Sequence, residues 1–308
     1  MLNAHSAPQT QIQTQVQLDT LTRLNVQDIL ENLGLDNLKR GQRALARLFW
    51  LPAKHFAKQL AHFDARISEI GLQDAANELL SKYIRHLDIR GAENIPARGG
   101  VIFAANHPGM TDTLACFSSI PRADLYTVSL DRPFVRALPN MAQRIFYVSE
   151  ETGQRLATVR QIARHIQNGG AVLICPAGRI EPDPAVMQDA SASLQEWSPS
   201  LGLFVQLAPE SVIVPTVVSN VVYGFALHNA FTRTRKTPRE RERAAASVQA
   251  FLQTGGLIKN RMVTRIEFGA PISARELRAH GDHAAITREI THAVEPLIRR
   301  ASTQSMNT

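Results

Sequence analysis

The sequence predicts an α/β fold: a largely parallel sheet flanked by helices, with a helical region at the N-terminus. Three observations carry this. From residue 88 onward, short apolar runs rich in Val and Ile alternate with segments of helical periodicity. Several of those runs are apolar at every position, as strands covered on both faces are. Residues 26–87 show helical spacing and no such runs.

Taken in order, residues 1–25 are polar and rich in Gln and Thr, which predicts a flexible lead-in. They lack the basic start and apolar core of a signal peptide. In residues 26–87, Leu45, Leu48, Phe49, Phe56, Leu60, Phe63 and Ile67 suggest one or two amphipathic helices broken near Pro52. In QDAANELLSKYIRHL, the residues Ala76, Leu79, Leu80, Tyr83, Ile84 and Leu87 share a helical face. Residues 88–308 form the α/β part. DIRGAENIPARGG reads as a short strand and a loop, and VIFAA (101–105) as a buried strand. TVSL (127–130), IFYV (145–148), AVLIC (171–175), VIVPTVVS (212–219) and VTRIEF (263–268) read as further strands. Helices are expected over 151–167 and 284–300. Pro215 lies inside a strand and lacks a ladder donor, so it marks an edge, an end or a bulge.

Composition narrows the function. With 308 residues and 44% hydrophobic content, the chain can bury one large domain with a smaller helical part. A formal charge of +7 suits phosphorylated substrates, an acidic carrier protein, anionic lipid or nucleic acid. Aromatics are only 6% and are not interleaved with basic residues, which argues against nucleic acid. The two cysteines, Cys116 and Cys175, form no CxxC pair and no metal-ligand spacing. No stretch of about 18 uncharged apolar residues exists, so no spanning helix is expected. The expected location is cytoplasmic, with peripheral contact at a membrane as the extension of that reading.

Two loops leave the carboxyl ends of predicted strands, where ligands gather in such sheets. The first is ANHPGMTDT (105–113). Asp112 can fold back across the Pro108–Gly109 turn to His107, fixing its tautomer and leaving the other ring nitrogen to take a proton. The bland alternative is that Asp112 caps a helix and His107 is a polar loop residue. The second loop is PAGRIEPDP (176–184), where Gly178 permits a tight turn and Arg179 can fork onto a phosphate. Its alternative is a solvated turn with Arg179 paired to Glu181 or Asp183.

Together these residues resemble the glycerolipid acyltransferases, over about residues 86–220. IRGAENIPARGGVIFAANHPGMTD is similar to that family's lead-in strand and Asn-His-x4-Asp motif. Pro176-Ala177-Gly178-Arg179 resembles its Pro-Glu-Gly-Thr-Arg block, and Val214-Pro215 its Val-Pro strand. The soluble plastid members, with Gly-Gly-Arg-Asp-Arg-Pro-Asp-Pro, are closer still to Gly178, Arg179 and Pro182-Asp183-Pro184. The chain departs from the pattern at Ala177 and Glu181. It departs again in FYVSEETGQR, where Glu150 and Glu151 replace expected cations and Arg155 is the nearest one.

The resemblance implies a general base, His107, oriented by Asp112. It implies substrate contacts from Asn106, Gly178, Arg179 and Arg155, and neither metal nor cofactor. The donor would be acyl-CoA or acyl carrier protein. The acceptor would be lysophosphatidate first and glycerol 3-phosphate second. Two rivals stand beside it: a lipid- or carrier-binding protein without catalysis, and a hydrolase using the same base on water. The basic run RTRKTPRERER (233–243) can meet a carrier protein, coenzyme A phosphates or anionic lipid, or be a solvated helix face. LFWLP (48–52) can pack in the core or dip into a bilayer surface.

Overall fold

The structure is a computed structural model, and it describes residues 6–32, 41–149, 151–258 and 262–305. Two long helices, α1 (Ser6–Asn32) and α2 (Gln42–Leu80), come first. They are followed by β1 (His86–Arg90), β2 (Val101–Ala105), α3 (Met110–Ser119) and β3 (Leu125–Leu130). The short α4 (Pro133–Arg136) and α5 (Pro139–Ala142) lead to β4 (Ile145–Val148), α6 (Thr152–Gln167) and β5 (Ala171–Ile174). Then come α7 (Ser200–Leu207), β6 (Val212–Ser219), α8 (Gly224–His228), α9 (Ala230–Arg233) and α10 (Pro238–Thr254). The chain continues through β7 (Val263–Phe268), β8 (Ile272–Ser273), α11 (Ala274–Arg278) and α12 (His283–Ser305).

One sheet runs in the order β1-β7-β6-β2-β5-β3-β4, with β8 beside β6. The pairs β6–β2, β2–β5, β5–β3 and β3–β4 are parallel, as is β1–β7. Only β7 and β8 meet β6 antiparallel. The sheet is therefore mostly parallel and covered by helices, as expected.

β2 is central, and all five of its residues are buried. Successive side chains point to opposite faces. Val101, Phe103 and Ala105 join the core under α2 and α3, with Leu79, Tyr83 and Phe117. Ile102 and Ala104 join the opposite core under α6, α7 and α12, with Ile162, Phe204 and Ile290. A run that is apolar at every position is thus explained by two cores.

Three sequence expectations need correction. Residues 6–25 are not a loose lead-in but part of α1, and Leu21 and Val26 are buried. Their burial against α2 outweighs a polar composition that would not fold alone. Residues 1–5 lie outside the described residues. The break in α2 is not at Pro52, because Phe49 and Ala53 on either side of it pack against Val26 and Leu30 of α1. It is at Gly71, with φ 85° and ψ 168°, a conformation open essentially to glycine alone. Pro215 is in an interior strand. It sits where the neighbour of β6 changes from β8, paired at Val212–Ile213, to β7, paired from Thr216. Its carbonyl accepts from Gly269 N at 2.7 Å, so its missing N–H faces the gap between those strands and costs no ladder bond.

Strand limits at β4, β6 and β7 match the sequence reading. The short α4, α5, α8 and α9 and the two-residue β8 carry too little periodicity to be read. In the lead-in, Gly91 has φ 67°, and a Cβ there would meet Phe268 O at 2.0 Å. Only glycine lets β1 end beside β7 in this way.

Candidate active site

β2 delivers His107 to the carboxyl edge of the sheet. Asn106 fixes the loop first: its Nδ2 donates to Val218 O at 2.9 Å, and its Oδ1 accepts from Val218 N at 2.7 Å. It is 2% exposed. Asn106, expected as a substrate contact, clasps β6 to the loop through both ends of its side-chain amide.

His107 Nδ1 lies 3.1 and 3.0 Å from the two oxygens of Asp112. Asp112 also accepts from Gly109 N at 2.7 Å and from the Thr113 hydroxyl at 2.9 Å. Helix α3 begins at Met110, so Asp112 sits in its first turn and faces the positive end of the helix dipole. The two sequence readings, cap and imidazole partner, are both true of one carboxylate. With a carboxylate accepting at Nδ1, that nitrogen carries the proton and Nε2 holds the lone pair. Nε2 has no protein partner among the described residues, and the His107 side chain remains 31% exposed. Asp112, at 2%, does not.

Burial of the ring works to lower the His107 pKa, but the Asp112 charge and hydrogen bond overcome it. Glu181 adds to the rise, Arg132 opposes it, and the result lies above the ordinary 6.5.

Glu181 is the residue the sequence undervalued. Its Oε2 accepts from His107 N at 3.0 Å, while Glu181 N donates to His107 O at 2.8 Å. Its Oε1 accepts from Trp197 Nε1 and lies by Ser193 Oγ, both at 2.9 Å. The two catalytic-edge loops are thus stitched at the base itself. Burial pushes the Glu181 carboxyl above its ordinary value, against the pull of these donors. Asp183 is the second anchor. It is wholly buried and accepts from the backbone N–H groups of Ala185, Asn220, Val221 and Val222 at 2.7–3.0 Å. No local signal gives these partners, because Trp197 and residues 220–222 lie far along the chain.

The other expected site residues are scattered. Gly178 makes the predicted tight turn, with φ 62° and its N–H on Cys175 O at 3.0 Å. Arg179 does not pair with Glu181 or Asp183. It grips Glu196 with Nε at 3.0 Å and with a terminal nitrogen at 2.5 Å, and its side chain is 17% exposed. The fork expected to meet a phosphate meets a carboxylate here. Arg155 is exposed in the first turns of α6 and bonds Ser149 O at 3.3 Å. Glu151 is exposed at the start of α6, and Glu150 lies outside the described residues. Ala177 packs into the core under α6 and α7. Burial raises the pKa of the Cys116 and Cys175 thiols.

A cleft of about 500 Å³ opens between α1 and the carboxyl ends of β3 and β4. Leu24, Leu130, Phe134 and Val148 give it apolar wall, and Arg132 and Arg243 reach it. Among the described residues no helix is long and apolar enough to cross a membrane.

Chemically, the site offers an imidazole of raised pKa, held by a buried carboxylate and with Nε2 open. Among solved structures, the chain is similar to the crystal structure of the 1-acyl-sn-glycerophosphate (LPA) acyltransferase PlsC from Thermotoga maritima. The identity is 13% and the TM-score 0.42, over 92% of this chain and 93% of that one. No curated protein matches the chain. Residues 86–219 match the family model described as Acyltransferase. That span runs from β1 to the end of β6 and encloses His107, Asp112, Glu181 and Asp183, and over it the chain is similar to the acyltransferase family.

Proposed function

We propose that the protein moves a fatty acyl group from a thioester, on coenzyme A or acyl carrier protein, to a hydroxyl of lysophosphatidate or a related glycerolipid. The observation that carries this reading is the His107–Asp112 pair at 3.0 Å with Nε2 left open. The acceptor hydroxyl gives its proton to Nε2 as its oxygen attacks the thioester carbonyl. The tetrahedral oxyanion then collapses and expels the thiolate, which takes the proton back from His107. Asp112 holds the ring and stabilises the imidazolium between the two steps. No Ser or Cys nucleophile is required, because the thioester is already activated.

The test offers labelled acyl-CoA and acyl carrier protein to lysophosphatidate, to glycerol 3-phosphate and to no acceptor, with His107→Ala alongside. Label in a phospholipid, lost in the variant, supports the reading, and the better acceptor names the substrate. Free fatty acid released without acceptor points to hydrolysis instead. No transfer with any pair rejects it.

A further inference from the structure

Arg179 is gripped by Glu196 through two nitrogens, whereas a second arginine near the carboxyl edge of the sheet is held through only one. Arg132 stands immediately before α4, beyond the end of β3, and lines the cleft. Its side chain is 43% exposed. Among the described residues its partner is Asp28 of α1, which takes one terminal nitrogen at 2.9 Å. Nε and the other terminal nitrogen hold no protein acceptor among those residues. Its positive charge works to lower the His107 pKa. The cleft also contains three acids, Asp28, Glu31 and Asp131. Asp131 holds Arg136 through both oxygens at 2.5 and 2.7 Å, and Glu31 accepts from Gln27 at 2.8 Å. Of the three, Asp28 is the one that bonds Arg132.

We propose that Arg132 binds the phosphate monoester of a substrate seated in this cleft, exchanging Asp28 for the phosphate. A guanidinium makes two parallel hydrogen bonds to a phosphate, where Asp28 now takes one. A phosphate monoester also brings about −1.5 to −2 charges against one for the carboxylate. Asp28 thereby sets the affinity: it keeps the cation poised and must be displaced. The monoester can belong to the acceptor head group or to the 3′-phosphate of coenzyme A. The substrate names rest on the acyl-transfer reading; the anion binding does not.

The kinetic test compares KM for lysophosphatidate with that for monoacylglycerol, and KM for acyl-CoA with that for its 3′-dephospho form. Arg132→Gln is expected to raise KM for one phosphorylated partner roughly ten- to hundredfold relative to its unphosphorylated twin. Asp28→Asn is expected to lower it severalfold. Both variants break the same ion pair, so opposite effects separate loss of the cation from loss of the bridge. Equal effects on phosphorylated and unphosphorylated partners, or a rise in both variants, would overturn the proposal. Calorimetric titration of glycerol 3-phosphate and of coenzyme A into the three proteins needs no turnover. Binding by wild type that weakens in Arg132→Gln and tightens in Asp28→Asn supports the proposal even if no acyl transfer is seen. Equal Kd values in all three, or no binding of either compound by wild type, reject it even if transfer proceeds.

Discussion

Asp112 answers three donors at once, the His107 ring, the Gly109 N–H and the Thr113 hydroxyl. Replacing it with Asn keeps the shape but puts an N–H where an acceptor is needed. The expected result is a fall in kcat of roughly a hundred- to ten-thousandfold, read from steady-state transfer with folding checked by circular dichroism. The pH profile gives a second readout. His107 must be neutral to act, and its pKa is raised above 6.5. Activity in wild type should therefore rise with pH through a midpoint above that value. In Asp112→Asn the main cause of the rise is gone, and the acid limb should move to lower pH. Glu181 differs in kind, since its carboxyl is held above the ordinary 4.5 by burial. A raised folded pKa stabilises the fold at pH below 4.5, and that contribution is lost as pH rises through the raised value. Urea midpoints measured across that window should fall less steeply in Glu181→Gln. An unchanged slope would show that Glu181 does not carry this dependence. His107 and Asp112 were legible because a base and its partner lie within one turn. Glu181 and Arg132 were not, since one is defined by Trp197 and His107 and the other by Asp28 of a distant helix.

The elements around the site are held by buried polar clamps rather than by apolar packing alone. Asp183 binds the turn after β6 through three backbone N–H groups and its own loop through a fourth. Asp183→Ala would leave those donors without an acceptor. It should lower unfolding free energy on the order of 3–5 kcal/mol, measurable by urea denaturation. Gly71→Ala forces a side chain into a conformation only glycine holds easily, and should cost about 1–3 kcal/mol in the same assay. Strands were readable because their apolar runs are long and bounded. The kink in α2 was misplaced because proline is the louder sequence signal, whereas packing by Phe49 and Ala53 silenced it.

At the scale of the molecule, LFWLP divides its residues. Phe49 packs inward, while Leu48 and Leu51 are 68% and 75% exposed. Leu257, which follows α10, is 62% exposed, and Gly255 beside it abuts Pro52. On the expectation of peripheral contact with a membrane, each leucine fully buried in lipid here would contribute about 1.5–3 kcal/mol. The double variant Leu48→Ser, Leu51→Ser should bind anionic vesicles at least about tenfold more weakly in a flotation assay. Undiminished binding would place the contact elsewhere. The layered plan of the chain was legible in its alternation of runs. The lid-like placement of α1 over the cleft was not, because its polar sequence gives no hint of what it covers.

The ties that hold the base in place all reach forward along the chain. Glu181 lies 74 residues beyond His107, and Val218 lies 112 beyond Asn106. During synthesis the imidazole and its carboxylate leave the ribosome together, but the residues that clasp their loop follow much later. At about 5–20 residues per second, that interval is on the order of ten seconds. A nascent or prematurely terminated product would carry the reactive pair without the clasp. Its loop would lack the bonds that order it until translation had passed β6.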